Sequence, residues 1–339
     1  MLVSRLAALL SSYLPCTVSP KHLYLLSLSL LLWKLAHLDH DLAVLWATLT
    51  HPPWRLRKFY SGKVVWITGA SSGLGRAIAV ELAKYPCKLV ISARRESELN
   101  KVKSECQTNG IDSENILVLP MDSLNFGKLP DLVSEVVERF GTIDILVNNA
   151  GRSQRSLAED TELPVDKAIM ELNYFGYVAH TKAVLPTMIA NKAGTIVGVS
   201  SLTGKMGTPV STAYAASKHA VMGFLSSLRM ELYSYGINVC TVCPGPVRSN
   251  ISLHSFTEDV TKEYNQDVQD QGKKQEADRF AYLTSVALAA RVPESWISIQ
   301  PYLLITYIAQ YLPSVYQSFL VSRAAQKRIT KFKNKECLY

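Results

Sequence analysis

From residue 63 onward, short runs of apolar residues alternate with segments long enough to form helices. The runs are VVWIT (64–68), KLVIS (88–92), NILVLP (115–120), IDILVNNAG (143–151), GTIVGVSS (194–201) and INVCTVCPG (237–245). A strand covered on both faces is apolar without alternation, and parallel strands need a crossover connection that is usually a helix. The pattern therefore predicts an α/β fold with a doubly wound parallel sheet. The ligand crevice of such a sheet lies at the carboxyl ends of the strands.

A glycine-rich turn, TGASSGLG (68–75), follows the first run and precedes a segment compatible with a helix. Glycines at such a turn let backbone amides and a helix N-terminus approach a pyrophosphate. The spacing is G-x-x-x-G-x-G rather than the common G-x-G-x-x-G, and an ordinary glycine-rich turn is the alternative. The residues predicted to contact a dinucleotide here are Gly69, Ser71, Ser72, Gly73, Leu74 and Gly75.

Two arginines, Arg94 and Arg95, follow the second run. An acidic residue at this place normally binds the ribose 2′-hydroxyl of NAD. Guanidinium groups instead pair with a 2′-phosphate, so the sequence predicts NADP(H) as the cofactor. The alternative is that both arginines only solvate the start of the next helix.

Polar and small residues also follow the third and fourth runs, at the predicted crevice. Asp122 follows the third run, and Asn149, Ala150 and Gly151 follow the fourth. Small or polar side chains there let an adenine or ribose approach closely. Taken singly, each residue is more typical of a turn than of a binding site.

The segment Ser200–Lys218 carries a serine, a phenol and an ammonium group behind a predicted strand. If the chain is helical from Ala213, Tyr214 and Lys218 are four residues apart and share one helix face. A cation beside a phenol favours the phenolate, which suits acid/base chemistry. The same spacing is also frequent on exposed helices.

The ordered motifs TGASSGLG, NNAG, Ser-Ser followed after twelve residues by Tyr-x-x-x-Lys, and PGPVRS resemble those of the short-chain dehydrogenase/reductase family. The resemblance covers about residues 60–300 and implies a Rossmann-type sheet. It also implies that Tyr214 is the general acid/base and that Lys218 binds the nicotinamide ribose and lowers the pKa of Tyr214. The family's serine lies thirteen positions before its tyrosine, which selects Ser201 over Ser200 as the residue that holds the substrate oxygen.

Two further assignments follow from this resemblance. Asn173, within MELNYFG, matches the family's asparagine, which supports a water-linked proton relay to the lysine. The PGPVRS segment is expected beside the nicotinamide, and a serine stands where the family usually has threonine. Ser201 as a helix cap and Asn173 as a backbone partner are the alternatives. The predicted cofactor contacts of this segment are Pro244, Gly245, Val247 and Ser249.

The positive charge of the chain lies at its two ends. Residues 1–60 sum to +4 and residues 322–339 to +5, so the middle sums to −1 within a net charge of +8. Both ends adjoin apolar segments, which favours a membrane surface over nucleic acid as the partner. The six cysteines are too scattered for a disulfide framework. Cys240 and Cys243 are predicted to lie in a buried strand rather than in a metal site.

The predicted domains are a membrane anchor (1–50), a linker (51–62), the catalytic domain (63–300) and an apolar, then basic, membrane-contact segment (301–339). The uninterrupted apolar core of the anchor has 11 residues, fewer than the roughly 20 of a spanning helix. A soluble packing arm or a cleaved signal peptide are alternatives for the first segment, and a core or dimer-packing helix for the last. Residues 250–280 are predicted to form a flexible, helical substrate lid.

The sequence thus predicts an NADP(H)-dependent oxidoreductase at the endoplasmic reticulum membrane that acts on a carbonyl or a secondary alcohol. The apolar ends favour a lipophilic substrate, and the family resemblance implies a steroid or retinoid. A homodimer is left open. The competing hypothesis is a catalytically silent, cofactor-binding membrane scaffold. The positive-inside rule favours a cytosolic catalytic domain, whereas similar enzymes can face the lumen.

Overall fold

A computed structural model describes residues 20–249, 251, 253–264 and 273–334. Within these residues the chain forms a seven-stranded parallel sheet with the order β3-β2-β1-β4-β5-β6-β7. The order reverses between β1 and β4, which is where a doubly wound sheet opens its ligand crevice. The strands are β1 Val64–Thr68, β2 Lys88–Ala93, β3 Ile116–Pro120, β4 Ile145–Asn148, β5 Gly194–Val199, β6 Ile237–Pro244 and β7 Glu294–Ile297.

The first six strands confirm the predicted parallel sheet, and β7 was not predicted. β7 has four residues, two of them polar, so it offers no apolar run. It pairs with the end of β6, from Thr241 opposite Glu294 to Pro244 opposite Ile297. The interpretation of Cys240 and Cys243 as buried strand residues is also confirmed, since both lie in β6 and are buried.

Helices cover both faces of the sheet. They are α1 Pro20–Ala36, α2 Leu42–Thr50, α3 Pro53–Tyr60, α4 Gly73–Leu82, α5 Glu96–Thr108, α6 Leu129–Phe140, α7 Leu163–Met170, α8 Gly176–Ala190, α9 Thr212–Glu231, α10 Ala277–Ala289, α11 Tyr302–Tyr311, α12 Pro313–Val315 and α13 Ser322–Lys333. A π-helical segment, Glu171–Phe175, joins α7 to α8, and another, Tyr316–Val321, joins α12 to α13.

The core consists of two apolar layers, one on each face of the sheet. Val65 and Ile67 of β1 pack in the layer that contains α4, α5 and α10. Val64 and Trp66 of the same strand pack in the layer that contains α6, α8 and α9. Adjacent residues of one strand therefore serve opposite layers, which is why the strand sequence is apolar throughout.

The predicted linker at residues 51–62 differs from the structure, because α3 packs into the core. Leu56 and Tyr60 are fully buried. The Tyr60 hydroxyl donates a hydrogen bond of 2.8 Å to the carbonyl oxygen of Ser285 in α10. Basic side chains occupy the outer face of α3. In the sequence they favour an exposed linker, whereas the apolar face of the helix attaches it to the core.

The predicted anchor is described only from Pro20, and residues 1–19 lie outside the described part. Across the described ranges, no helix is both long enough and apolar enough to cross a membrane. On α2, Val44 and Ala47 pack in the core. The opposite face of this helix leaves Trp46 and Leu49 exposed.

The C-terminal segment joins the domain through α11, whose inner face carries Leu303. Leu303 packs with Leu202, Cys243 and Trp296. Tyr311 at the end of this helix is exposed. The segment thus combines a core-packing face with an exposed apolar face, and residues 335–339 lie outside the described part.

The predicted helical lid is wrong for the described residues between 250 and 276. They form turns and isolated bridges, and the helix begins only at Ala277. Phe256 explains the difference, because its N–H donates to Ser153 and its carbonyl oxygen accepts from Arg155. These bonds to the loop after β4 take the place of bonds within a helix. Residues 265–272 lie outside the described part.

The packing of α3 predicts unequal costs for two Leu→Ala substitutions. Leu56→Ala should lower the free energy of unfolding by about 2–5 kcal/mol, because it opens a cavity in the core. Leu49→Ala removes a side chain that is 71% exposed, and it should change that free energy by less than about 0.5 kcal/mol. Denaturant unfolding of the full chain measures both values. If both substitutions changed the free energy of unfolding by the same small amount, α3 would be a detached linker.

Candidate active site

The carboxyl ends of the strands border a cavity of about 780 Å³. Its lining comes from the segments that follow β1, β2, β3, β4, β5 and β6, and it continues to residues of α9 and the C-terminal helices. Every cofactor-binding or catalytic residue predicted from the sequence lines this cavity, apart from Gly75 and Asn173. Those two residues lie against the lining.

The glycine-rich turn needs its glycines for both conformation and space. Gly69 and Gly73 have φ values of +65° and +56°, a backbone conformation that residues other than glycine rarely adopt. A Cβ at Gly75 would lie 2.4 Å from the carbonyl oxygen of Gly69 and 2.5 Å from Nδ2 of Asn149. Helix α4 begins at Gly73, so its N-terminal amides border the cavity and can bind a phosphate.

Thr68 and Asn149 join the ends of β1 and β4 below this turn. The Thr68 hydroxyl oxygen accepts hydrogen bonds from the N–H groups of Asn149 and Ala150, at 3.0 and 3.1 Å. The Asn149 side-chain amide donates to the carbonyl oxygens of Thr68 and Gly69, at 3.0 and 3.2 Å. The two loops are therefore fixed against each other where the strand order reverses.

Arg94, Arg95 and Asp122 lie at the cavity beyond the ends of β2 and β3, and all three are exposed. Arg95 is also the N-cap residue of α5. The Asp122 carboxylate accepts a hydrogen bond of 3.0 Å from the N–H of Leu124. Asp122 thus stabilises a turn as well as lining the cavity.

Lys218 is a buried ammonium group beside the Tyr214 ring. Both residues lie in α9, as the i, i+4 spacing predicts, and the Lys218 Nζ is 5.7 Å from the ring centroid of Tyr214. Nζ donates a hydrogen bond of 3.0 Å to the carbonyl oxygen of Val199. Burial lowers the pKa of Lys218 from 10.5 to about 8. Tyr214 is half-buried and lines the cavity, so its phenol can meet a ligand there.

Ser200 and Ser201 both lie at the end of β5, but they make different contacts. The Ser200 hydroxyl donates to the carbonyl oxygen of Lys218 at 3.2 Å, which ties it to α9. The Ser201 hydroxyl oxygen accepts from the N–H of Thr203 at 3.2 Å, as the N-cap of a short 3₁₀ turn. Both serines line the cavity.

Asn173 lies in the π-helical segment and is fully buried. Its side-chain amide accepts from the Arg152 N–H at 2.8 Å and donates to the Arg152 carbonyl oxygen at 2.9 Å. It also donates to the Ser217 hydroxyl at 3.0 Å. A Cβ at Gly151 would lie 3.1 Å from Asn173 Oδ1 and 3.6 Å from Lys218 Nζ, so Gly151 admits the close approach of both side chains.

Three residues that the sequence interpretation missed also belong to this region. The Tyr177 hydroxyl donates to the Val199 carbonyl oxygen at 2.9 Å and lies 3.5 Å from Lys218 Nζ. Arg155 is buried and donates from Nη1 to the Ser211 hydroxyl at 2.9 Å, just before α9. The third is Arg152. The only available signal was the i, i+4 spacing of Tyr177 from Asn173.

Arg152 connects Asn173 to the segment at the mouth of the cavity. Its guanidinium carbon lies 3.7 Å from the ring centroid of Phe256. Its Nε donates to the carbonyl oxygen of His254, and its Nη2 pairs with the Glu263 carboxylate. One residue therefore holds Asn173 through its backbone and the segment 254–263 through its side chain.

The comparison with known proteins identifies the family. The sequence profile described as short chain dehydrogenase matches residues 63–260. The chain belongs to the short-chain dehydrogenase/reductase family. It is 45% identical over 314 residues to human dehydrogenase/reductase SDR family member 7, covering 91% of each chain. It is 35% identical over 273 residues to a Drosophila melanogaster SDR family protein 7-like, covering 80% of this chain and 83% of that one.

Solved structures of short-chain dehydrogenases agree with this fold. An enzyme from Streptomyces avermitilis superposes with a TM-score of 0.64 at 26% identity, covering 77% of this chain and 98% of that one. A Burkholderia phymatum enzyme, solved in complex with NAD, has a TM-score of 0.64 at 24% identity and supports the fold alone. The superposition covers 82% of this chain and 96% of the Burkholderia phymatum enzyme.

Family membership supports an oxidoreductase that binds a nicotinamide cofactor, and the residues of this chain fit such a group. The left-handed glycines of the turn and the N-terminus of α4 together form a cradle that suits a phosphate. At the other end of the crevice, Gly151, Tyr214 and Lys218 line the cavity and can meet a bound group.

The buried ammonium predicts a specific pH dependence of stability. The folded-state pKa of Lys218 is about 8 against an ordinary 10.5, so the unfolded chain binds the additional proton between these values. Lys218 therefore destabilises the fold at about pH 7, and this cost declines as the pH rises to 10.5. Lys218→Met should be the more stable protein at about pH 7, by up to about 3 kcal/mol, with the difference declining across that window.

Denaturant unfolding of the cofactor-free protein at several pH values measures this difference. The exposed Lys101 provides the control, because Lys101→Met should show no such trend. A difference between wild type and Lys218→Met that stays constant with pH would contradict a buried ammonium.

Proposed function

We propose that the protein is an NADP(H)-dependent oxidoreductase that reduces a carbonyl, or oxidises a secondary alcohol, of a lipophilic substrate. The observation that carries this proposal is the buried Lys218 ammonium beside the Tyr214 ring, in a cavity that begins at a phosphate cradle. A positive charge held out of water stabilises a neighbouring phenolate strongly, because little solvent screens it.

Three side chains, Tyr214, Ser201 and Lys218, have distinct roles in the acid/base chemistry. Tyr214 donates a proton to the carbonyl oxygen during reduction and accepts it during alcohol oxidation. Ser201 holds the same oxygen through its hydroxyl, and Lys218 stabilises the ionised form of Tyr214. Hydride transfer is the chemistry that a bound nicotinamide supplies.

Asn173 is proposed to support a water-linked path for the proton that leaves Tyr214. Its amide is fixed by both backbone groups of Arg152 and by Ser217. The π-helical segment supports a specialised role, since such segments often mark functional sites. Arg152 keeps this amide in place and so contributes to the path indirectly.

The preference for NADP(H) is proposed from Arg94 and Arg95. Both guanidinium groups are exposed at the cavity, at the end of β2. A 2′-phosphate placed there would gain charge-assisted hydrogen bonds, whereas a 2′-hydroxyl would not. The other proposed cofactor contacts are the glycine-rich turn, Asp122, the 149–151 loop and the 244–249 loop.

A lipophilic substrate is proposed from the apolar side chains that line the same cavity as Tyr214. Side chains from the π-helical segment, from the segments after β5 and β6 and from α11 contribute to it. The apolar members are Leu172, Leu202, Met206, Ile251, Phe256 and Tyr302. A hydroxysteroid or a retinoid offers the size and the apolar surface that suit this lining, with one carbonyl or hydroxyl for Tyr214.

Attachment to the endoplasmic reticulum membrane is proposed from the exposed faces of the terminal helices. Trp46 and Leu49 project from α2, and Trp54 projects from α3 beside the Arg55 guanidinium at 5.2 Å. Aromatic and basic side chains together suit the headgroup region of a bilayer. The alternative of a silent scaffold is disfavoured by the joint presence of Ser201, Tyr214 and Lys218 at the cavity, because a protein that only binds the cofactor has no need of all three.

Replacement of Tyr214 by Phe tests the acid/base assignment. The change removes one hydroxyl, and turnover should fall by about a hundredfold or more, as for loss of a general acid. NADPH affinity, measured by fluorescence titration, should change by less than about threefold. Tyr233→Phe is the matched control, since Tyr233 is 86% exposed. Near-normal turnover of Tyr214→Phe would refute the assignment.

Arg94→Ala tests the cofactor preference. The wild type should have a higher kcat/KM with NADPH than with NADH, and the substitution should reduce that ratio by about tenfold or more through the lost charge-assisted bonds. Arg57→Ala, at an exposed position of α3, should leave the ratio unchanged. A wild-type preference for NADH would refute the NADP(H) proposal.

A further inference from the structure

The polar connector, residues 37–41, joins α1 to α2. The sequence interpretation placed it inside the membrane anchor, yet His40 and Asp41 are 4% and 6% exposed. Burial of charged groups is costly unless they are paired, so this connector needs partners in the domain. Those partners lie on both sides of the loop 244–249.

Asp41 attaches the connector to β7. Its carboxylate accepts from the Trp296 N–H at 2.6 Å, and its own N–H donates to the Trp296 carbonyl oxygen at 2.8 Å. The same carboxylate caps α2 by accepting from Val44 at 2.8 Å. The next residue of β7, Ile297, accepts from the N–H of Gly245 at 2.9 Å.

Asp39 attaches the connector to the other side of the loop. Its carboxylate accepts from Arg279 Nε at 2.8 Å and from Arg279 Nη2 at 3.1 Å. Gln275 Nε2 donates to the carbonyl oxygen and the carboxylate of Asp39, at 3.3 Å each. Burial by itself would raise the pKa of Asp39, but hydrogen bonds from His40 and Arg279 hold it below its ordinary value. Asp39 therefore remains ionised at neutral pH.

Gln275 carries the connection from Asp39 into the loop. It is buried, and its N–H donates to the Pro246 carbonyl oxygen at 2.9 Å. Its own carbonyl oxygen accepts from the Arg248 N–H at 3.0 Å. The backbone of Gln275 thus pairs with the loop on both sides of Val247, while its side chain is held by Asp39.

We infer that Asp39 is a positioning residue, which fixes Gln275 and through it the loop 244–249 at the cofactor crevice. The effect on cofactor binding rests on the proposed function, whereas the effect on the loop does not. Without the Asp39 carboxylate, the Gln275 side chain keeps only its bond to the Asp39 carbonyl oxygen and is ordered less well. The two backbone bonds to Pro246 and Arg248 then open more often.

Hydrogen exchange of the full-length, cofactor-free protein tests the first step. Asp39→Ala should increase amide exchange in residues 246–249 and 275–276 by about tenfold, because local opening becomes easier. Gln275→Leu removes the bond to the Asp39 carboxylate from the other partner, together with the bond to the Asp39 carbonyl oxygen, and should increase the same exchange. Asp131→Ala changes an exposed aspartate on α6 and should leave this exchange unaltered.

NADPH titration of the same variants tests the second step. Asp39→Ala and Gln275→Leu should each weaken binding by about fivefold, and the double variant should bind no worse than Gln275→Leu alone, because that substitution already removes every bond from the Gln275 side chain to Asp39. Unchanged loop exchange in both single variants would overturn the inference, and so would additive losses of affinity. Faster loop exchange with no NADPH binding in any protein, wild type included, would support the positioning role and overturn the proposed function instead.

Discussion

The junction between β1 and β4 is the constraint on which the rest of the site depends. Four hydrogen bonds between Thr68, Gly69 and the 149–150 segment hold two loops together where the strand order reverses. Gly75 packs against this junction with no room for a side chain, so the first turn of α4 lies directly against it. The phosphate cradle, the floor of the cavity and the approach of Gly151 to Lys218 all follow from that arrangement.

The buried Lys218 ammonium lowers the stability of the fold at this site. Its ammonium lies among the Val199 carbonyl oxygen, the Tyr177 hydroxyl and the Tyr214 ring rather than in water. Burial lowers its pKa to about 8, so the charge is retained at neutral pH at a cost in stability. A group that weakens the fold is expected where function requires it.

Much of the fold and of the site could be predicted because the signals are local. Continuous apolar runs marked six strands, and the four-residue spacing of Tyr214 and Lys218 placed them on one helix face. The missed features depend on partners distant in sequence. β7 is a strand because Asp41 and β6 satisfy its backbone, and the segment around Phe256 is non-helical because it pairs with the loop after β4. No spacing within either segment could reveal those partners.

The most direct measurement of the proposed chemistry is NADPH consumption by the full chain over a panel of carbonyl compounds, from small ketones to steroids and retinoids. The buried lysine beside Tyr214 predicts that at least one apolar carbonyl is reduced, with one alcohol formed for each NADPH consumed. Tight NADPH binding without consumption for any member of the panel would contradict an active oxidoreductase and favour the silent scaffold.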